Sequence, residues 1–185
     1  MRVLIVYGTT EGQTRKIAWR MAARAKELGH EAELHDSADL ASKIQIRAFA
    51  AIIIAASVHQ QVHQETISGF AIAHRDSLNS NQTAFVSVSL SAALNSDHAE
   101  TRKYVDRFVA ETGWRPTKVL LLAGALRYSG YDYFKQQIIK YIVMKGHSSE
   151  NIERDYEFTD WKVLSDFVDS FLEMADAGPR DRASP

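Results

Sequence analysis

Four short runs along the chain are apolar without alternation: Val3–Tyr7, Ala50–Ala56, Thr83–Leu90 and Lys118–Gly124. Runs of that length and character suit strands buried on both faces of a sheet. Glu31–His35 alternates weakly and reads as an edge strand. Between these runs the period changes to that of a helix, near Gln13–Leu28, Gln64–Leu78, His98–Thr112 and Trp161–Met174. In the first helix Ile17, Met21, Ala25 and Leu28 recur on one face, and Gly29 ends it. Thr159 or Asp160 is placed to cap the last helix. Five strands with interleaved helices predict an α/β fold with a doubly wound parallel sheet. Such a sheet holds ligands at the carboxyl ends of its strands, here Gly8–Thr14, Ser57–His63 and Ser89–Asp97.

The first of these ends carries the strongest chemical signal. A strand, a loop rich in hydroxyls and glycine, and a helix start gather N–H groups and hydroxyls at the positive end of a helix dipole. That arrangement suits a phosphate. The spacing fits neither the Lys-containing nucleotide loop nor the dinucleotide loop G-x-G-x-x-G. The same residues also suit an ordinary strand-to-helix turn with a Thr cap.

Thr9, Thr10, Gly12 and Thr14 resemble the T/S-x-T-G-x-T loop with which flavodoxins hold the phosphate of FMN. Glu11 stands where flavodoxins carry Thr or Ser, and is expected to point outward and offer its backbone N–H. The resemblance implies a flavodoxin-like sheet of strand order 2-1-3-4-5. It also implies one FMN, with Thr9, Thr10, Glu11, Gly12, Gln13 and Thr14 at the phosphate. Ser57, Val58, His59, Ser87, Val88, Ser89 and Leu90 would surround the ring. Neither ring loop offers the Trp or Tyr that flavodoxins stack on it, so His59 and His63 are the nearest candidates for ring contacts.

Composition removes several alternatives. The chain is 45% hydrophobic and 24% charged with a formal net charge of −1, so nothing favours nucleic-acid binding. It has no cysteine, which excludes disulfides and thiolate chemistry and assigns any redox work to a cofactor. The histidines show no metal spacing beyond the pair His59 and His63, which has no carboxylate nearby, so no metal is assigned. No nucleophile elbow is present. With no signal segment before the first strand and no apolar run near the ~18 residues of a membrane span, a soluble cytoplasmic protein is expected. Any membrane contact would then be peripheral, on the inner face.

The carboxyl half narrows the family. Trp114-Arg115-Pro116, Gly124-Ala125-Leu126-Arg127-Tyr128, Tyr156–Trp161 and Gly12-Gln13-Thr14-Arg15 are similar to motifs of the menaquinone-dependent protoporphyrinogen IX dehydrogenases. They occur in the family's order from Arg2 to about Val168. The resemblance implies an FMN enzyme of haem biosynthesis that oxidises protoporphyrinogen IX to protoporphyrin IX and passes electrons to a quinone. The flavin carries the chemistry, and no dedicated catalytic acid or base is assigned. Arg127 is a candidate partner for a substrate carboxylate, and Tyr128 for stacking on a porphyrin or quinone plane.

The chain divides into one domain over residues 1–175, with an inserted helical segment at about 125–155 after the fifth strand, and a disordered tail at 176–185. In the insertion Tyr131, Phe134, Ile138, Tyr141 and Ile142 share a helical face, while Lys135, Lys140 and Lys145 share no other. Packing on the domain or forming a homodimer suits that pattern better than lipid contact. Family members are strongly basic, whereas this chain is near neutral and its loop Ser91–Asp97 has no cation. Two other functions fit the same fold, a flavodoxin-type electron carrier and a general flavin-dependent quinone reductase. Trp114 is expected to pack the turn before the fifth strand, and Trp19 and Trp161 to pack on helix faces.

Overall fold

A computed structural model describes residues 1–39, 44–94, 98–126 and 156–178. Strand β1 (Arg2–Gly8) leads into helix α1 (Gln13–Glu27), followed by β2 (Glu31–Asp36) and β3 (Ala51–His59). A two-residue strand, β4 (Val62–His63), precedes α2 (Glu65–Ala73), α3 (Arg75–Asn79) and β5 (Gln82–Ser89). Then come α4 (Ser91–Leu94), α5 (Ala99–Thr112), β6 (Lys118–Ala123), β7 (Ala125–Leu126), β8 (Tyr156–Glu157) and α6 (Trp161–Asp176).

The main sheet runs β2-β1-β3-β5-β6, all parallel, which is the predicted order once β4 is set aside. Its two faces are covered by different helices. Val3, Ile5, Ile53 and Val86 pack under Ile17, Met21 and Ala25 of α1 and Leu164, Val168 and Phe171 of α6. Leu4, Val6, Ile52, Ile54 and Phe85 pack against Ile67 and Ala71 of α2 and Val105 and Phe108 of α5. Residues alternating along each strand thus enter opposite cores, so the strands read as continuous apolar runs.

Arg24 binds Asp169 through two parallel N–H···O bonds of 2.7 and 2.8 Å, joining α1 to α6 across the first face. Asp160 caps α6, its carboxylate accepting from the N–H groups of Lys162 and Val163 at 3.0 Å each. Trp114 is fully buried and donates its indole N–H to the Thr83 hydroxyl at 3.1 Å, so it packs the approach to β6 as predicted.

The structure departs from expectation in five places. β3 extends past Ala56 to His59 and turns back into β4, so the presumed loop Ser57–His63 is a hairpin. The helix predicted over Gln64–Leu78 is two helices parted at His74. Leu28 follows the end of α1 and is exposed rather than part of its buried stripe. Trp19 is 63% exposed, because α1 turns that face to solvent, whereas Trp161 is partly buried against the first core. The last helix continues to Asp176, into the segment assigned to the tail. Arg127, Tyr128, the rest of the expected insertion to residue 155 and residues 179–185 lie outside the described residues.

Candidate functional site

The carboxyl ends of β1, β3, β5 and β6 open into a cleft of about 470 Å3, within the usual range for small-molecule sites. Thr9, Thr10, Glu11, Gln13 and Thr14 form one end. Ser57, Val58 and His59 line it from β3, and Val88, Ser89 and Leu90 from β5 and the residue after it. The three predicted loops therefore meet at one cleft. Glu11, expected to turn outward, belongs to the lining. Gly12 and Ser87 do not line it.

Gly12 does its work behind the cleft. Its φ of 89° lies in the left-handed region that favours glycine, and its N–H donates to the Thr9 hydroxyl at 2.8 Å. This sharp turn delivers α1 with its N-terminus at the cleft, and the glycine cap has no side chain to satisfy the first N–H groups. Within the first turn of α1, the Thr14 hydroxyl is buried without any hydrogen-bond partner. A buried hydroxyl left unpaired costs roughly 1–3 kcal/mol, so an orphan at a helix N-terminus is the mark of a site awaiting an acceptor. A phosphate oxygen fits that donor, and the residues here fit the phosphate of an FMN.

Ser87 lies beneath the cleft, where its hydroxyl meets His63 Nε2 at 3.0 Å. His63 is not the loop residue that its place in the sequence suggests. It is buried against Phe85 and Phe108, with ring centroids 5.1 and 5.0 Å away, and burial pushes its pKa down to about 4. It therefore makes no ring contact in the cleft, while His59 stays on the lining.

Other lining residues join those named as contacts. Gln60 and Gln61, within the predicted end Ser57–His63, form the hairpin turn; Ser91 lies within the predicted end after β5; Gly124 and Ala125, which follow β6, escaped the sequence reading. Glu100 and Tyr104 reach the cleft from α5, with the Tyr104 hydroxyl donating to the Glu100 carboxylate at 2.5 Å. Tyr104, only 8% exposed, brings an aromatic side chain that the predicted loops lack. The only available signal was the i, i+4 pair on the first turns after the third loop. Gln64 supports the site from behind, its amide donating to the hydroxyls of both Thr10 and Ser57.

At the opposite wall the start of α1 is tied to the approach to α6. Gln13 donates to the Thr159 hydroxyl at 2.9 Å, and that hydroxyl donates to the Ala123 carbonyl at 2.9 Å. Glu157 pairs with Lys16 and accepts from the Trp161 indole at 2.7 Å. Burial raises the Glu157 pKa, but these donors outweigh it and hold the carboxyl below its ordinary value. Glu157, Thr159 and Trp161 of the Tyr156–Trp161 motif thus pack against the start of α1. Among the described residues no cluster of three or more His, Asp or Glu could hold a metal, and no helix is long and apolar enough to cross a membrane.

A flavodoxin domain family model matches residues 4–152. The chain belongs to the flavodoxin domain family. Among curated proteins it is similar to a protoporphyrinogen IX dehydrogenase [quinone] of Escherichia coli (strain K12), 29% identical over 177 residues, covering 95% of this chain and 97% of that one. A protein of the same name from Leishmania major is 26% identical over 182 residues, covering 96% and 78%. The resemblance read from the motifs therefore holds over nearly the whole chain.

The flavodoxin fold is equally plain in solved structures. Oxidised flavodoxin 1 of Bacillus cereus superposes with a TM-score of 0.56 at 14% identity, covering 94% of this chain and 98% of that one. A Streptococcus pneumoniae flavodoxin gives 0.54 at 16%, covering 94% and 99%. At such identities the likeness establishes the fold and nothing finer.

Proposed function

We propose that this flavodoxin-domain protein is an FMN-dependent oxidoreductase that converts protoporphyrinogen IX to protoporphyrin IX with a quinone as electron acceptor. The observation that carries the reading is the near full-length similarity to relatives of that name. The cleft agrees with it, since the orphan Thr14 hydroxyl, at the capless start of α1, suits the phosphate of the cofactor.

In this reading Thr9, Thr10, Gln13 and Thr14 bind the phosphate, with the left-handed Gly12 shaping the loop. Ser57, Val58 and His59 orient the ring from one wall, and Ser89 and Leu90 from the other. Bound FMN supplies the two-electron redox chemistry. The surrounding residues hold the reactants together and exclude water, which lowers the entropic part of the barrier. The protein would work in the cytoplasm, with any membrane contact peripheral and any homodimer formed through the insertion.

One observation favours the electron-carrier alternative. The described lining contains Glu11 and Glu100 and no Lys or Arg, an acidic rim better suited to a basic protein partner than to an anionic porphyrinogen. A single experiment separates the two. FMN-loaded protein is mixed anaerobically with protoporphyrinogen IX, and the flavin absorbance is followed before and after a quinone is added. Bleaching by the porphyrinogen and recovery with quinone support the dehydrogenase; a bound flavin that stays oxidised leaves the carrier.

A further inference from the structure

The ring-side wall of the cleft is built on a hairpin with little to support itself. Val58 pairs with His63 and His59 with Val62, and the two-residue turn between them is Gln60-Gln61. Both glutamines have positive φ, 48° and 68°, a region that costs a residue with a side chain roughly 1–2 kcal/mol. Val62 is 46% exposed. A return strand of two residues, closed by a strained turn, is not stable alone. Yet Val58, His59, Gln60 and Gln61 all line the cleft.

His63 supplies the missing support. The residue is 7% exposed, its ring set at an angle against the stacked pair of Phe85 of β5 and Phe108 of α5, and its Nε2 meets the Ser87 hydroxyl at 3.0 Å. Phe85 and Phe108 stack on each other at 4.7 Å, so the socket is itself rigid. A phenyl ring would fill such a socket at a lower desolvation cost than an imidazole. The feature that an imidazole adds is the bond to Ser87, which ties the return strand of the hairpin to β5.

We infer that His63 is a positioning residue for the cofactor, a latch that holds Val58 and His59 against the flavin ring without itself touching it. The inference rests on the FMN reading above. With the latch intact the wall is pre-formed, and no binding energy is spent on ordering it. With the latch broken the competent wall is only partly populated, and apparent affinity falls by that fraction.

The test compares full-length wild type with His63→Phe, Ser87→Ala and His63→Gln, each freed of flavin. Thermal melts, FMN titration by flavin fluorescence and the midpoint potential of the bound flavin are measured. His63→Phe is expected to melt no lower than wild type, yet to bind FMN about tenfold more weakly, with a potential shifted toward that of free FMN. Ser87→Ala, which removes one oxygen, should do the same, and His63→Gln, which can still reach Ser87, should recover most of the affinity. Affinity and potential within twofold and unshifted in both His63→Phe and Ser87→Ala overturn the latch. Should His63→Phe fail to fold, Ser87→Ala alone decides. Wild type that binds no FMN removes the cofactor reading itself, and this inference with it.

Discussion

Gln64 joins the two halves of the cleft: its side-chain amide stands 3.2 Å from the Thr10 hydroxyl and donates as well to the hydroxyl of Ser57. Thr10 belongs to the α1 end of the cleft and Ser57 to the β3 wall, so one side chain sets their spacing. Gly8 makes room for this, since a Cβ there would lie 2.5 Å from Ile67 Cγ1 and 3.2 Å from Gln64 Oε1. Gln64→Ala removes both bonds. At about 1 kcal/mol of net value for each, FMN affinity is expected to fall by about five- to tenfold, with a smaller loss of thermal stability. Fluorescence titration beside a melt checks this, and an unchanged affinity means that the spacing is held by other contacts.

Thr14 offers a sharper test, because stability and binding should move in opposite directions. Its hydroxyl is buried and unpaired in the free protein. Thr14→Val keeps the shape and removes the unpaired group, so the flavin-free protein should gain up to about 1 kcal/mol in urea unfolding. The same change removes a donor for phosphate, and FMN should bind about tenfold more weakly. Loss on both measures would mean that the hydroxyl already has a partner in the free protein.

How much of this was legible in the chain varied with the range of the interaction. The parallel strands could be read because residues facing both cores are apolar, as Val3 and Leu4 or Ile52 and Ile53 illustrate. The turn from β1 into α1 could be read because its geometry is local, set by Gly12 and the start of α1. The hairpin at Val58–His63 could not, since its turn is Gln-Gln where such turns favour Asn-Gly or Gly. No Gly or Pro marks the break at His74 either. Gln64, Glu100 and Tyr104 reach the site through tertiary packing, from a hairpin exit and a helix face, and beyond the i, i+4 spacing of the last two no local pattern announces that. His63 illustrates the same limit: a histidine in a polar stretch became a core residue because a partner hydroxyl waited 24 positions away.

Acid should destabilise the protein well before its carboxylates titrate. Burial holds the His63 pKa at about 4, and burial followed by the nearby His35 lowers that of His74. An unfolded histidine titrates near 6.5. Both groups are neutral in both states above that pH, so the native advantage is complete there. As pH falls from about 6.5 towards 4, the unfolded chain takes up protons that the folded one refuses, and stability drops. For His63 the full loss is about 3 kcal/mol; His74 is more exposed and adds less. Urea midpoints at pH 7.5, 6 and 5 should decline steadily, and His63→Phe should flatten most of that slope. A flat wild-type profile over this range rules out a buried neutral His63.

Glu100 brings a negative charge to the cleft from the helix that follows the third loop, held there by the Tyr104 hydroxyl at 2.5 Å. Two-electron reduction makes a flavin ring more electron-rich, and a carboxylate facing it opposes that change. Glu100→Gln keeps an acceptor for Tyr104 while removing the charge, so the bound flavin should become easier to reduce. Glu100 is exposed and solvent screens it, which limits the effect to about 1 kcal/mol, or about 20 mV for a two-electron couple at low salt. The shift should shrink as salt is raised, as a surface charge requires and a change in packing does not. Redox titration of wild type and variant at two ionic strengths measures both. A potential that stays put, or moves down, would mean that Glu100 faces away from the ring. An upward shift would instead identify α5 as the element that tunes the cofactor.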